Sequence, residues 1–160
     1  MKLVYYDVFL VLCMVACATT TINSKSVQFS DARRIIPGKT TGSELKTLFG
    51  SPDSVQSLEK GMSVWEYLRK DVPSTRRFYV FLRNDSKKVE SVTWNVFEQD
   101  PESDLTNAKI ALENPVLTGS RQEWTNGDAA PHETHYKNAE KNITIVLHEP
   151  SNRVTEIMWR

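Results

Sequence analysis

Along most of this chain apolar residues recur at every second position, and in two short stretches at every third or fourth. The first rhythm predicts strands and the second helices. Residues 63–69 place Trp65 and Tyr67 on one side of a predicted strand. Residues 77–83 are apolar on both sides, with Phe78, Val80 and Leu82 on one and Tyr79 and Phe81 on the other. A polar turn at 84–88 leads into a strand over 89–97, in which Val92, Trp94 and Val96 share a face. Near the C-terminus, residues 142–148 and 154–160 form a hairpin around 149–153. Residues 122–126, which hold Trp124, and 132–137 are alternative strands, and the sequence does not choose between them.

The clearest helix is bracketed on both sides. Thr41 and Glu44 fit a capping box, in which each side chain satisfies a backbone N–H at the helix start. Leu45, Leu48 and Phe49 follow at helical spacing, Gly50 suits the left-handed residue past the last turn, and Pro52 stops continuation. A second helix begins at Asp104, sets Ala108, Ala111 and Leu112 on one stripe, and ends at Asn114-Pro115. A shorter one is capped at Ser30-Asp31 and ended by Pro37-Gly38.

The two halves say much the same thing. At an offset of 65 residues and without a gap, Phe78, Val80, Leu82, Val89, Val92 and Trp94 meet Ile143, Ile145, Leu147, Val154, Ile157 and Trp159. At the helices the offset is 63, which pairs Thr41 with Asp104 and Pro52 with Pro115. The expected fold is therefore α+β: two tandem helix-plus-sheet repeats over 30–98 and 99–160, each a short helix on an antiparallel three-stranded sheet. The sheets would either continue edge to edge or pack through their aromatic faces. Tyr79 and Phe81 cannot be hidden by the same helix that covers Phe78 and Val80. They are the first candidates for a partner-binding face, with Trp65 and Tyr67 added from the neighbouring strand. The simplest reading of Trp65, Tyr67, Trp94, Trp124 and Trp159 as a set is core.

The first 29 residues change the picture from a domain to an anchored domain. Residues 8–16 are apolar and uncharged, of signal-peptide rather than membrane-span length. Small Ala16 precedes Cys17, and the junction Met14-Val15-Ala16-Cys17 resembles a bacterial lipobox. That resemblance implies a signal peptide over 1–16, a diacylglycerol and an N-acyl chain on Cys17, and a lipidated tether over 17–29 rich in Thr and Ser. Ala18, where inner-membrane retention would want Asp, implies the periplasmic side of the outer membrane. Both cysteines, Cys13 and Cys17, sit at or before the cut, so the mature domain has no internal disulfide and no cysteine metal site.

Twenty Lys and Arg against twenty Asp and Glu give no electrostatic case for nucleic-acid binding. His132-Glu133-Thr134-His135 does not have the zincin spacing, and on a strand its two imidazoles point to opposite faces. His148 reads as an edge residue, and Asn142-Ile143-Thr144 matches a glycosylation sequon that a bacterial lipobox discounts. No phosphate loop, nucleophile elbow or catalytic carboxylate pair is present in the sequence, so neither an enzyme nor a metal or other cofactor is expected.

Ile35/Gly38/Thr40, the helix over 42–49, Gly50/Pro52, Trp65/Tyr67 and the hairpin over 78–96 form an ordered set. It resembles the SmpA/OmlA (BamE-like) outer-membrane lipoprotein family, with Lys39 in place of the family's usual Met. The chain runs on for a second half, and tandem units of this kind are similar to the β-lactamase inhibitory protein architecture. The resemblance implies a lipid-anchored binding or scaffold protein, an accessory in outer-membrane protein assembly or envelope integrity. Its partners would be the membrane and another protein. The alternative is an inhibitor-type module that blocks an enzyme through an aromatic sheet face.

Overall fold

The computed structural model describes residues 27–69, 76–122 and 132–160. Cys17, the signal and tether segments, and Trp124 lie outside the described residues. Eight strands form one antiparallel sheet: β1 (Ser54–Leu58), β2 (Met62–Arg69), β3 (Arg76–Arg83), β4 (Val89–Asn95), β5 (Thr118–Gln122), β6 (Glu133–Asn138), β7 (Ile143–His148) and β8 (Arg153–Trp159). Their spatial order is β1-β2-β3-β4-β8-β7-β6-β5. Each half is a four-stranded meander, and the two meanders join edge to edge through β4 and β8.

This corrects the expected fold class. There are not two three-stranded sheets each under its own helix, but a single eight-stranded sheet with few short helices. The fourth strand of each half escaped the periodicity because it lies at the sheet edge. Four of the five β1 side chains are exposed, so nothing selects alternating apolar residues there. Nor does each half keep a separate core: one cluster runs from Phe29, Leu45 and Phe78 to Leu112, Ile145 and Trp159.

The helices are α1 (Phe29–Ala32), α2 (Gly42–Phe49) and α3 (Leu105–Ala111). The start of α2 is the capping box read in the sequence: the Glu44 amide donates to the Thr41 hydroxyl at 3.3 Å, and the Thr41 amide donates to the Glu44 carboxylate at 2.7 Å. Gly50 follows in the left-handed region at φ 84°. In α3, Ala108 and Leu112 are buried, but Ala111 is exposed and Leu105 packs on the core in its place. All three helices lie on one side of the sheet. Phe49 meets Tyr67 and Phe78, Phe29 meets Trp94 and Trp159, and Lys109 stands over Tyr136.

The two hairpins of the joint share one register. Phe78↔Trp94, Val80↔Val92 and Leu82↔Val89 become Ile143↔Trp159, Ile145↔Ile157 and Leu147↔Val154. Even the irregularity recurs at the same offset, between Phe81 and Leu82 and between Val146 and Leu147. The joint is self-complementary: Val92↔Trp159 exchanges with Trp94↔Ile157, and Thr93↔Met158 maps onto itself. A pseudo-twofold axis therefore passes through the Thr93–Met158 pair. Across it the segment around α1 seals both halves, since Phe29 touches both tryptophans and the Trp159 indole donates to the Ile35 carbonyl at 3.2 Å.

Candidate functional site: the open face of the sheet

Because side chains alternate along a strand, burying one face under the helices turns the other set outward. The residues of this second face can be followed through consecutive pairs across every strand: Ser54, Glu66, Tyr79, Thr93, Met158, Thr144, Lys137 and Thr118. Among the described elements no helix lies on this side. Yet Val64, Leu68, Tyr79, Phe81, Thr93, Thr144 and Met158 are only half-exposed. Neighbouring side chains on adjacent strands shield one another, and Val146 is 5% exposed by this means.

The face has two chemical halves. Over β2 and β3 it is apolar, with Val64, Leu68, Tyr79 and Phe81 beside an ion pair in which Arg77 donates to Glu66 at 2.6 Å. Over β6, β7 and β8 it carries Glu133, His135, Lys137 and Glu156. A depression of about 320 Å³ lies here, lined by Thr93, His135, Lys137, Thr144 and Met158 among others. His135 Nε2 is buried and makes no hydrogen bond, with a Glu133 carboxylate oxygen 3.5 Å away.

Burial, and then the nearby Glu133 carboxylate, push the Glu156 pKa upward, against a smaller opposing effect of His135. An acid whose pKa is higher in the folded state favours folding while protonated. That contribution is complete below the unfolded value and is lost as pH rises through the folded one. Glu156→Gln should therefore leave the melting temperature nearly unchanged below the ordinary value of 4.5 and raise it at neutral pH. Thermal melts of both proteins across that range check the sign. A variant less stable at neutral pH would show that ionised Glu156 is held by favourable contacts instead.

The four aromatic residues picked out in the sequence do not form one surface. Tyr79 and Phe81 are on the open face. Tyr67 is 2% exposed, stacked on Phe78 at 5.0 Å between ring centres, and belongs to the core. Burial pushes its phenol pKa upward, and its hydroxyl has no hydrogen-bond partner. Trp65 is on the helix side under Lys46, half-exposed. The alternation that put Tyr79 opposite Phe78 puts Trp65 and Tyr67 on Phe78's side, which the pairings Trp65↔Val80 and Tyr67↔Phe78 make explicit. The second-half members of the open face, Met158, Thr144 and Glu156, were missed. The readable signal was the 65-residue offset, which carries Tyr79 onto Thr144 and Thr93 onto Met158.

No family model matches the chain, and no curated protein matches it. Among solved structures, a DUF4309 family protein (YjgB) from Bacillus subtilis is similar in fold, with a TM-score of 0.51 at 11% identity over 81% of this chain and 84% of that one. An extracellular protein containing a SCP domain, from Bacillus anthracis, aligns at a TM-score of 0.45 and 11% identity over 99% of this chain and 48% of that one. At such identity the first likeness concerns the fold alone.

Proposed function

We propose that this chain is a lipid-anchored binding protein that holds a protein partner against the open face of its sheet, without chemistry of its own. The observation that carries this reading is the row of side chains across all eight strands. Its middle, Tyr79, Thr93 and Met158, is flanked by an aromatic and aliphatic patch on one side and charged residues on the other. Aromatic and methionine side chains at the centre with charges around them is the composition of protein interfaces. A sheet of eight hydrogen-bonded strands also presents those groups pre-organised, which lowers the ordering cost of binding. The anchor rests on the lipobox-like residues 14–17, and the outer-membrane assignment on Ala18. A lipid raises the local concentration of the open face near membrane partners.

A photo-crosslinking residue placed at Phe81 in the full chain should yield a discrete adduct in cells. The same residue at Val116, which is 84% exposed outside this face, should yield none. Tyr79→Glu should abolish the adduct with an unchanged melting temperature. Cys17→Ser should release the chain from the membrane fraction. Equal labelling from Val116, or an adduct indifferent to Tyr79→Glu, would end this reading. An adduct whose partner is an enzyme that loses activity on binding would select the inhibitor alternative over a scaffold.

A further inference from the structure

On the helix side, at the outer end of the first half, α2 leaves part of β1 and β2 uncovered. The opening is a cavity of about 590 Å³ floored by Val55, Trp65 and Leu82. That volume falls within the range of small-molecule sites. Three features distinguish it from an accident of loose packing, and for the first two the second half of the molecule serves as an internal comparison.

First, α2 begins with Gly42, whose missing Cβ would stand 2.9 Å from Trp65 Cη2, so the helix start approaches the indole with no side chain in between. The matching first residue of α3 is Leu105, which packs on the core. Second, Ser63 lines the cavity at 8% exposure and makes no side-chain hydrogen bond among the described residues, so its hydroxyl is open to the cavity. Its counterpart by register, Thr134, donates to a Glu149 carboxylate oxygen at 2.6 Å. Third, the charged residues lining the cavity are Lys46, Arg83 and Lys87, with no carboxylate among them. Asp85 neutralises Arg83 at 2.9 Å, which leaves the two lysines. Lys46 stands 5.5 Å over Trp65, as Lys109 stands 5.8 Å over Tyr136 in the other half.

We propose that this cavity binds a small organic anion, with its carboxylate or phosphate group toward Lys46 and Lys87 and an apolar, ring-sized body against Val55, Trp65 and Leu82. Ser63 supplies a hydrogen bond at the junction of the two parts. The site is independent of the open sheet face, which lies on the other side.

The test uses the full chain carrying Cys17→Ser, so that no acyl chain competes for the probe. Titration with 2-naphthoate, followed by amide and indole N–H chemical shifts, should perturb Gly42, Ser63, Trp65 and Lys87. The neutral isostere 2-naphthamide should bind about fivefold more weakly, the scale of a lost exposed charge contact. Naphthyl phosphate against naphthoate then tells which acid group the lysines prefer. Ser57→Glu, on exposed β1 with its side chain in the lining, should weaken the anion and leave the amide unaffected. Lys87→Gln, in the exposed turn after β3, gives the same test with no change in the sheet. Equal binding of acid and amide, shifts confined to other residues, or no shifts at all would overturn the proposal.

Discussion

Trp94→Ala should lower the unfolding free energy by about 3–5 kcal/mol, the range for removal of a fully buried large aromatic. Trp94 is entirely buried, with Phe29 and Phe78 rings each 5.4 Å away and the Arg69 guanidinium 4.2 Å over its ring. No described element is free to collapse into the space, because the sheet holds both neighbouring strands in register. Trp159→Ala should cost a similar amount across the pseudo-twofold axis, where Phe29 and Arg33 pack on the ring. Phenylalanine separates the two. The Trp94 indole N–H makes no hydrogen bond, whereas that of Trp159 caps the Ile35 carbonyl. Trp94→Phe should therefore be the milder of the two phenylalanine variants. Urea unfolding with unchanged m-values is the measurement. A near-neutral alanine variant at either position would remove that tryptophan from the core.

A loss of similar size, about 3–5 kcal/mol, is expected from Asp100→Asn. Arg69 and Asp100 form a two-pronged pair at 2.9 and 3.1 Å, both about 5% exposed, and the same carboxylate accepts the Phe97 amide at 3.0 Å. The substitution keeps the size and removes the charge that compensates a buried guanidinium. The double variant Arg69→Met, Asp100→Asn should recover part of the loss, because it removes both buried charges. If the double variant is the sum of the singles, the pair is not coupled and the Phe97 contact carries the effect.

Neither of these ionic partners was legible in the sequence, because Arg69 ends a strand and Asp100 lies in a turn 31 residues away. What could be read was local. The capping box at Thr41, the two-sided β3 and the equal hairpins all depend on neighbours within a few residues. The outer strands β1 and β5 were not legible, since an exposed edge imposes little pattern, and the count of three strands per sheet followed from that omission. The choice between sheets continuing edge to edge and sheets stacked face to face was also beyond the pattern, because Tyr79 and Phe81 fit either. The edge-to-edge joint places them on an open face. The cavity beside Trp65 depends on what differs between the halves, Gly42 against Leu105 and Ser63 against Thr134, where similarity alone had been read.

The joint also sets an order of events. Among the described residues every strand pairing except one links neighbours in sequence, and such hairpins close quickly because little chain must be ordered to form them. The exception, β4 with β8, brings Thr93 to Met158 across 65 residues. A chain that emerges N-terminus first presents the first meander while the edge of β4 has no strand to pair with, and that edge is a template for any other extended chain. The Phe29 segment waits as well, for it needs Trp159 as much as Trp94. The middle of the finished sheet is thus the last part to close, and the interval before it closes is when an unfinished copy is most exposed to a second one.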